Sequence, residues 1–137
     1  MERSLVLIKP DATERNLACT VLGRLEAQKL KLSALRMLRM DRALAERHYA
    51  VHTTKPFFKG LVDYITSGPI VAAVFRGEDA VNVIRKTMGS TDPKKAERGT
   101  IRGDFGLDIE RNAIHGSDSL ETAEKEIRLF FAEAEVY

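Results

Sequence analysis

The chain is poor in the residues that build special-purpose proteins: it has no tryptophan, four prolines and one cysteine among 137 residues. A lone cysteine, Cys19, cannot close an intrachain disulfide, so the fold must be held by burial. A free thiol fits a reducing, cytosolic compartment, and its expected role is to fill the core. Charge of one sign is also missing. Twenty-two basic against 20 acidic side chains leave a net charge of +2, which argues against a protein that coats nucleic acid. Any anion site must therefore be local. No long hydrophobic run occurs: the uncharged segment Ser4 to Ile8 is cut off by Lys9, Pro10 and Asp11, too short for a signal-peptide core. Nothing approaches the roughly 20 apolar residues of a membrane span. Neither glycine cradle for nucleotides, G-x-x-x-x-G-K-S/T or G-x-G-x-x-G, is found. These absences leave a soluble cytoplasmic protein, read as one domain over residues 1–137, without repeat, linker or low-complexity segment.

The elements that are present follow from periodicity. "SLVLIK" (Ser4–Lys9) is rich in strand formers and is stopped by Pro10, so it reads as a buried first strand. From about Asn16 to Lys29, Ala18, Val21, Leu22 and Leu25 recur at helical spacing. Leu32 to Met40 alternates imperfectly as a second strand. "DRALAERHYAVH" reads as a short helix closed before Pro56, and "FFKGLVDYITSG" as a helix ended by Gly68. "PIVAAVFRG" is a third, central strand, and "EDAVNVIRKTMG" another helix, with Ala80, Val83, Ile84 and Thr87 on one side. Ser90 to Arg111 reads as a long loop rich in glycine and charge, a length that usually carries function. The last helix has Leu120, Ala123, Ile127, Phe130 and Phe131 at helical spacing. Asp118 and Ser119 are its candidate caps, and Asp118 fits a reciprocal pattern with Glu121. This order of strands and helices gives an α+β sandwich with helices on a sheet.

The chemistry centres on "RNAIHGSDS". His115 precedes a helix start, on a rigid junction, and Glu126 falls between the apolar positions of that helix, where it is expected to point back toward what precedes it. Lys9, Arg85, Thr91 and Arg102, with the glycines of "GTIRGDFG", offer cations, a hydroxyl and close backbone approach of the kind that suits phosphate oxygens. A solvated loop with scattered charges would look much the same. A satisfied core histidine is the plain alternative for His115, and ordinary packing is the plain alternative for Tyr49 and Phe57. His48 and His52 are four apart on a helix and could share a metal, but no Glu follows His48 and no third ligand is apparent. Partly exposed helix histidines are the favoured reading there, and no protein metal ligand is assigned. Taken together, the residues propose a reaction. A neutral imidazole held by a carboxylate at one nitrogen is a nucleophile toward phosphorus at the other, and cations around the moving group stabilise its oxygens. That predicts a phosphohistidine intermediate and ping-pong kinetics, without naming donor or acceptor.

"NAIHGSD" is similar to the signature N-x-x-H-G-S-D of nucleoside diphosphate kinases, and the similarity runs over nearly the whole chain. "IKPDA" resembles the family's first-strand motif, "HYAVHTTKPFF" its nucleotide-binding helix pair, "SGPIVAAV" its third strand and "GTIRGDF" its phosphate loop. The resemblance implies a ferredoxin-like fold with a four-stranded antiparallel sheet. It makes His115 the phosphorylated nucleophile, Glu126 the carboxylate that orients it and Ser117 a support to both. Lys9 matches the lysine that reaches the terminal phosphate and the sugar hydroxyl, and Tyr49 the tyrosine beside the histidine. Arg85, Thr91 and Arg102 match phosphate ligands, and Asn112 the residue on the ribose 3'-hydroxyl. Phe57 and Ile109 match the two sides of the base slot, so low base selectivity is implied. Magnesium is implied to ride on the nucleotide phosphates, with Asp118 reaching it through water. Partners implied are nucleoside triphosphates and diphosphates and other copies of the chain, in tetramers or hexamers of dimers.

Two departures stand out. Lys55 replaces the arginine common before Pro56 and gives up a planar fork, with an effect expected on nucleotide affinity more than on chemistry. The stretch "AEAEVY" follows the last helix where many members carry a longer extension, which leaves tetramer and hexamer both open. Two rival readings compete with the enzyme: a nucleic-acid-binding module on the same sheet, and a catalytically silent nucleotide-binding regulator. Aromatic residues are only 7% of the chain, too few for the interleaved stacking pattern of RNA-binding sheets. The complete set of histidine, lysine and phosphate ligands argues against a silent regulator.

Overall fold

The computed structural model describes residues 1–137. Its sheet consists of β1 (Glu2–Ile8), β2 (Lys31–Leu38), β3 (Ile70–Gly77) and β4 (Ile114–Gly116) in the order β2-β3-β1-β4. Every neighbouring pair is antiparallel. The helices are α1 (Pro10–Glu14), α2 (Ala18–Glu26), α3 (Arg42–His48), α4 (Phe58–Ile65), α5 (Ala80–Met88), α6 (Ile101–Phe105) and α7 (Leu120–Phe130), with a 3-10 turn at Ala50–His52. The α+β architecture expected from the element order is the one observed.

Two cores explain the sequence patterns of the central strands. Val6, Ile8, Val71, Ala73 and Phe75 face a cluster completed by Val21 and Leu25 of α2 and Ile84 and Met88 of α5. Leu5, Leu7, Ala72 and Val74 face the opposite cluster, with Ala45, Val62, Ile65, Ile127 and Phe130 from α3, α4 and α7. Strands buried on both faces have no polar alternation to show, so "LVLI" and "IVAAV" read as continuous apolar runs. Strand β2 lies at the edge, and a bulge between Leu32 and Ala34 puts Ser33 and Ala34 inside in succession. This is why its alternation looks imperfect.

Four expectations change. Cys19 is exposed and does not fill the core, because it sits two residues, about 200°, from Val21 around α2. Leu120 is exposed at the first position of α7, ahead of the turns that pack on the sheet. Ser119 alone caps that helix, accepting from the Thr122 amide at 3.1 Å, while the Asp118–Glu121 pattern goes unused. The stretch from Ser90 to Arg111 is not all loop: it contains α6, capped by Thr100, whose hydroxyl accepts from the Gly103 amide at 3.0 Å.

Candidate active site

His115 enters the site through its strand register. It pairs with Leu7, so its side chain falls on the α7 side of the sheet, while Ile114 beside it fills the opposite core. A Cβ at Gly116 would come within 2.6 Å of the Met88 sulfur on α5, so a larger residue there has to displace that side chain. From α7, buried Glu126 reaches back and accepts from His115 Nε2 at 3.0 Å and 3.2 Å. The Ser117 hydroxyl, fully buried, donates to Glu126 Oε1 at 2.6 Å. Burial by itself would raise the Glu126 carboxyl, but the hydrogen bond and charge of His115, with His48 and Ser117, hold it below the usual carboxylate range. A carboxylate there fixes the proton of the neutral imidazole on Nε2 and leaves Nδ1 as the lone pair.

The junction that carries His115 is pinned from the far end of β1. Ala113 has a φ of 74°, a conformation an alanine adopts at a cost of about 1–2 kcal/mol. Its amide donates to buried Asp11 Oδ2 at 3.1 Å. Tyr64 donates its hydroxyl to the other oxygen of Asp11, and Arg15 reaches Oδ2 at 3.3 Å. The strain, two residues before the histidine, is thus held by a buried, multiply bonded carboxylate.

Lys9, at the end of β1, is buried. Its ammonium donates to the Glu110 carbonyl at 2.6 Å and to Asn112 Oδ1 at 2.9 Å. Burial, reinforced by the charge of Arg102, pushes its pKa down to about 8. Asn112 in turn donates through Nδ2 to the carbonyls of Thr91 and Ile109 at 2.9 Å and 3.1 Å. One amide therefore ties together Lys9, Thr91 and Ile109. Arg102, on α6, donates to the carbonyl of Ile114, next to the histidine, at 2.8 Å and to that of Gly89 at 3.2 Å. Its Nε is buried without a partner, and burial plus the nearby Arg85 lower its pKa to about 10. Arg85 is exposed and holds the Asp118 carbonyl at 3.2 Å. Two cations are thus kept close by main-chain oxygens, with charge to spare for an anion.

A cavity of about 480 Å³ opens beside His115, lined among others by His48, Tyr49, His52, Asp118 and Glu126. Burial raises the Tyr49 hydroxyl to about 12, so it is a neutral donor at ordinary pH. Phe57 stands apart on the rim, 47% exposed, its ring 5.3 Å from that of His52 and under the Lys55 ammonium at 5.6 Å. Ile109, 63% exposed, lies on the segment after α6.

Two residues escaped the sequence reading. Asp11 acts across 102 positions, and an aspartate after Pro10 looks like any helix start. His48 was expected to be partly exposed; its side chain is buried between Phe130 and His115, at ring distances of 5.8 Å and 4.8 Å. It ends α3 against α7, where a surface helix would have continued into solvent. Burial pushes its pKa down to about 3.

Comparison with known proteins points to one family. A family model described as nucleoside diphosphate kinase matches residues 2–136. A nucleoside diphosphate kinase of Dehalococcoides mccartyi (strain ATCC BAA-2100 / JCM 16839 / KCTC 5957 / BAV1) is 61% identical over 99% of this chain and 96% of its own length. One from Archaeoglobus fulgidus is 54% identical over 99% and 90%. The solved nucleoside diphosphate kinase of Aquifex aeolicus superposes with a TM-score of 0.97 at 41% identity, covering 99% of each chain. That of Halobacterium salinarum, solved in complex with CDP, gives 0.96 at 47% identity over 99% of this chain and 91% of the other.

Proposed function

The chain belongs to the nucleoside diphosphate kinase family, with its ferredoxin-like fold, and we propose that it moves the phosphoryl group on Nδ1 of His115. The reaction is transfer of the terminal phosphate of a nucleoside triphosphate to a nucleoside diphosphate. In the first half, the Nδ1 lone pair attacks the terminal phosphorus, the bond to the bridging oxygen breaks, and the diphosphate leaves with that oxygen. In the second half, a terminal oxygen of another diphosphate attacks the same phosphorus and the P–N bond breaks. The observation that carries this reading is the 3.0 Å contact of His115 Nε2 with Glu126, itself held by Ser117: a carboxylate accepts, so the ring proton belongs on Nε2 and Nδ1 is left electron-rich.

The surrounding groups take roles their geometry supports. Lys9 and Arg102, buried cations beside the histidine junction, stabilise the oxygens of the group in flight, with Arg85 and the Thr91 hydroxyl on the phosphates further out. Tyr49 donates from the cavity wall. Lys9 and Asn112, already bonded to each other, meet the sugar hydroxyl. Phe57 and Ile109 hold the base by contact with its faces, which is insensitive to the pattern along its edge, so base selectivity is low. The possible metal ligands clustered in the cavity include two imidazoles, poor ligands for magnesium, so magnesium fits here on the nucleotide's phosphates, with Asp118 reaching it through water. Magnesium supplies neutralisation of phosphate charge.

Residues 1–137 are read as one domain. No helix is long and apolar enough to cross a membrane, and the free, exposed thiol of Cys19 supports a reducing cytoplasm. Leu35 and Met37 are exposed on the unpaired edge of β2, which supports a homo-oligomer assembled from dimers. A silent or nucleic-acid-binding regulator is not favoured. The test is to mix the protein with Mg²⁺ and ATP labelled on the terminal phosphate, without acceptor, and then to add GDP. Acid-labile, base-stable label on His115 that moves to GTP is the expected result. Absence of label while ATP binds would remove the phosphohistidine.

A further inference from the structure

His48 has no part in the transfer as drawn. Its ring is buried, yet neither nitrogen has a hydrogen-bond partner. Its Nδ1 lies 3.7 Å from Glu126 Oε2, while Glu126 Oε1 holds His115 Nε2 at 3.0 Å. Ligand atoms from His48, His115 and Glu126 all lie within 4.8 Å of one another, and all three residues line the cavity. Burying an imidazole with both nitrogens idle is costly, and a bound cation would use one of them.

We propose that His48, His115 and Glu126 form an inhibitory site for a divalent transition metal of the zinc type, which captures the histidine and withdraws it from catalysis. Two imidazoles and a carboxylate with the fourth position open are a zinc donor set. Nitrogen and oxygen donors about 2.0–2.1 Å from a tetrahedral zinc lie about 3.3 Å from each other. The separations of 3.0 Å and 3.7 Å, to the two oxygens of Glu126, bracket that spacing, and the donor set, spread over as much as 4.8 Å, closes around the ion by side-chain rotation. Magnesium, with its demand for oxygen ligands, does not compete. The inhibition is chemical as well as steric. A neutral imidazole carries one proton; metal on Nε2 sends that proton to Nδ1 through solvent, and the lone pair that attacks phosphorus becomes an N–H. This consequence rests on His115 being the nucleophile, whereas the metal site itself does not.

The test uses chelator-treated full-length protein titrated with zinc by calorimetry and with cobalt(II) by visible absorption. One zinc per chain and the intense bands of a tetrahedral cobalt site are expected. His48→Phe keeps a ring and removes the donors. It is expected to weaken both signals by more than about tenfold, the lower bound even for outer-shell changes at metal sites. Zinc inhibition of the Mg-ATP reaction, measured against the variant's own zinc-free rate, weakens by the same factor. His52→Asn and Cys19→Ser retain full binding. Absence of stoichiometric binding, or unchanged binding in His48→Phe, would overturn the site. NMR of the unmodified protein guards against a variant that misfolds: zinc must displace the ring signals of His48 and His115, and displacement confined to His52 overturns the proposal. The calorimetric, absorption and NMR readouts need no turnover, so a failure there is separate from a failure of the labelled-phosphate experiment.

Discussion

The two ends of the site are built to different tolerances. Around His115 the side chains are buried and bonded: Ser117 to Glu126, Glu126 to the histidine, Asp11 to the Ala113 amide, Lys9 to Asn112. At Phe57 and Ile109 the side chains are 47% and 63% exposed and sit on segments that bury little. In the function proposed above, the reacting atoms meet a rigid, prepaid arrangement, while the base meets two apolar surfaces that any base can satisfy. A kinase that must accept many nucleotides and perform one chemistry benefits from that division.

The contrast breaks most completely at the histidine. His115→Ala is expected to reduce turnover to the assay background while ATP still binds by calorimetry; appreciable transfer by this variant would end the account of the rigid end. Next in size is Glu126→Ala. Losing the carboxylate frees the imidazole and its tautomer, so single-turnover phosphorylation is expected to slow by roughly a hundredfold, the low end of what a positioned proton-handling group contributes. An unchanged rate would show that His115 needs no holder.

Lys9 sharpens the comparison through pH. Its ammonium is charged below a pKa pushed down to about 8 and neutral above it. Because kcat/KM reports the free enzyme, it is expected to fall on the alkaline side near pH 8, and Lys9→Arg is expected to abolish that limb at the cost of a lower plateau. A limb that appears only near the ordinary lysine value of 10.5 would mean that burial does not tune this cation. The smallest effect belongs to the loose end. Phe57→Ala is expected to raise KM by about tenfold, the lower end of what stacking on one base is worth. The rise is expected to be equal for purine and pyrimidine diphosphates with kcat nearly unchanged; a change for one base only would mean that the slot reads edges after all.

What was legible in the sequence follows the same division. β1 and β3 could be read because double-sided burial writes an unbroken apolar run, and Glu126 because a carboxylate among the apolar positions of α7 has to point inward. α6 was hidden because five residues carry less than two turns of periodicity amid glycine and charge. His48 and Asp11 were hidden because their neighbours arrive from distant segments: His115 and Phe130 for one, Ala113 and Tyr64 for the other. Cys19 was misplaced because composition speaks for burial of cysteine in general, while its angle around α2 decides the single case.

The most direct measurement is a long-range ¹H–¹⁵N correlation spectrum of ¹⁵N-histidine-labelled protein after phosphorylation by Mg-ATP. With Glu126 holding Nε2, the phosphoryl group is expected on Nδ1 of His115. A phosphoryl group on Nε2 would contradict the account.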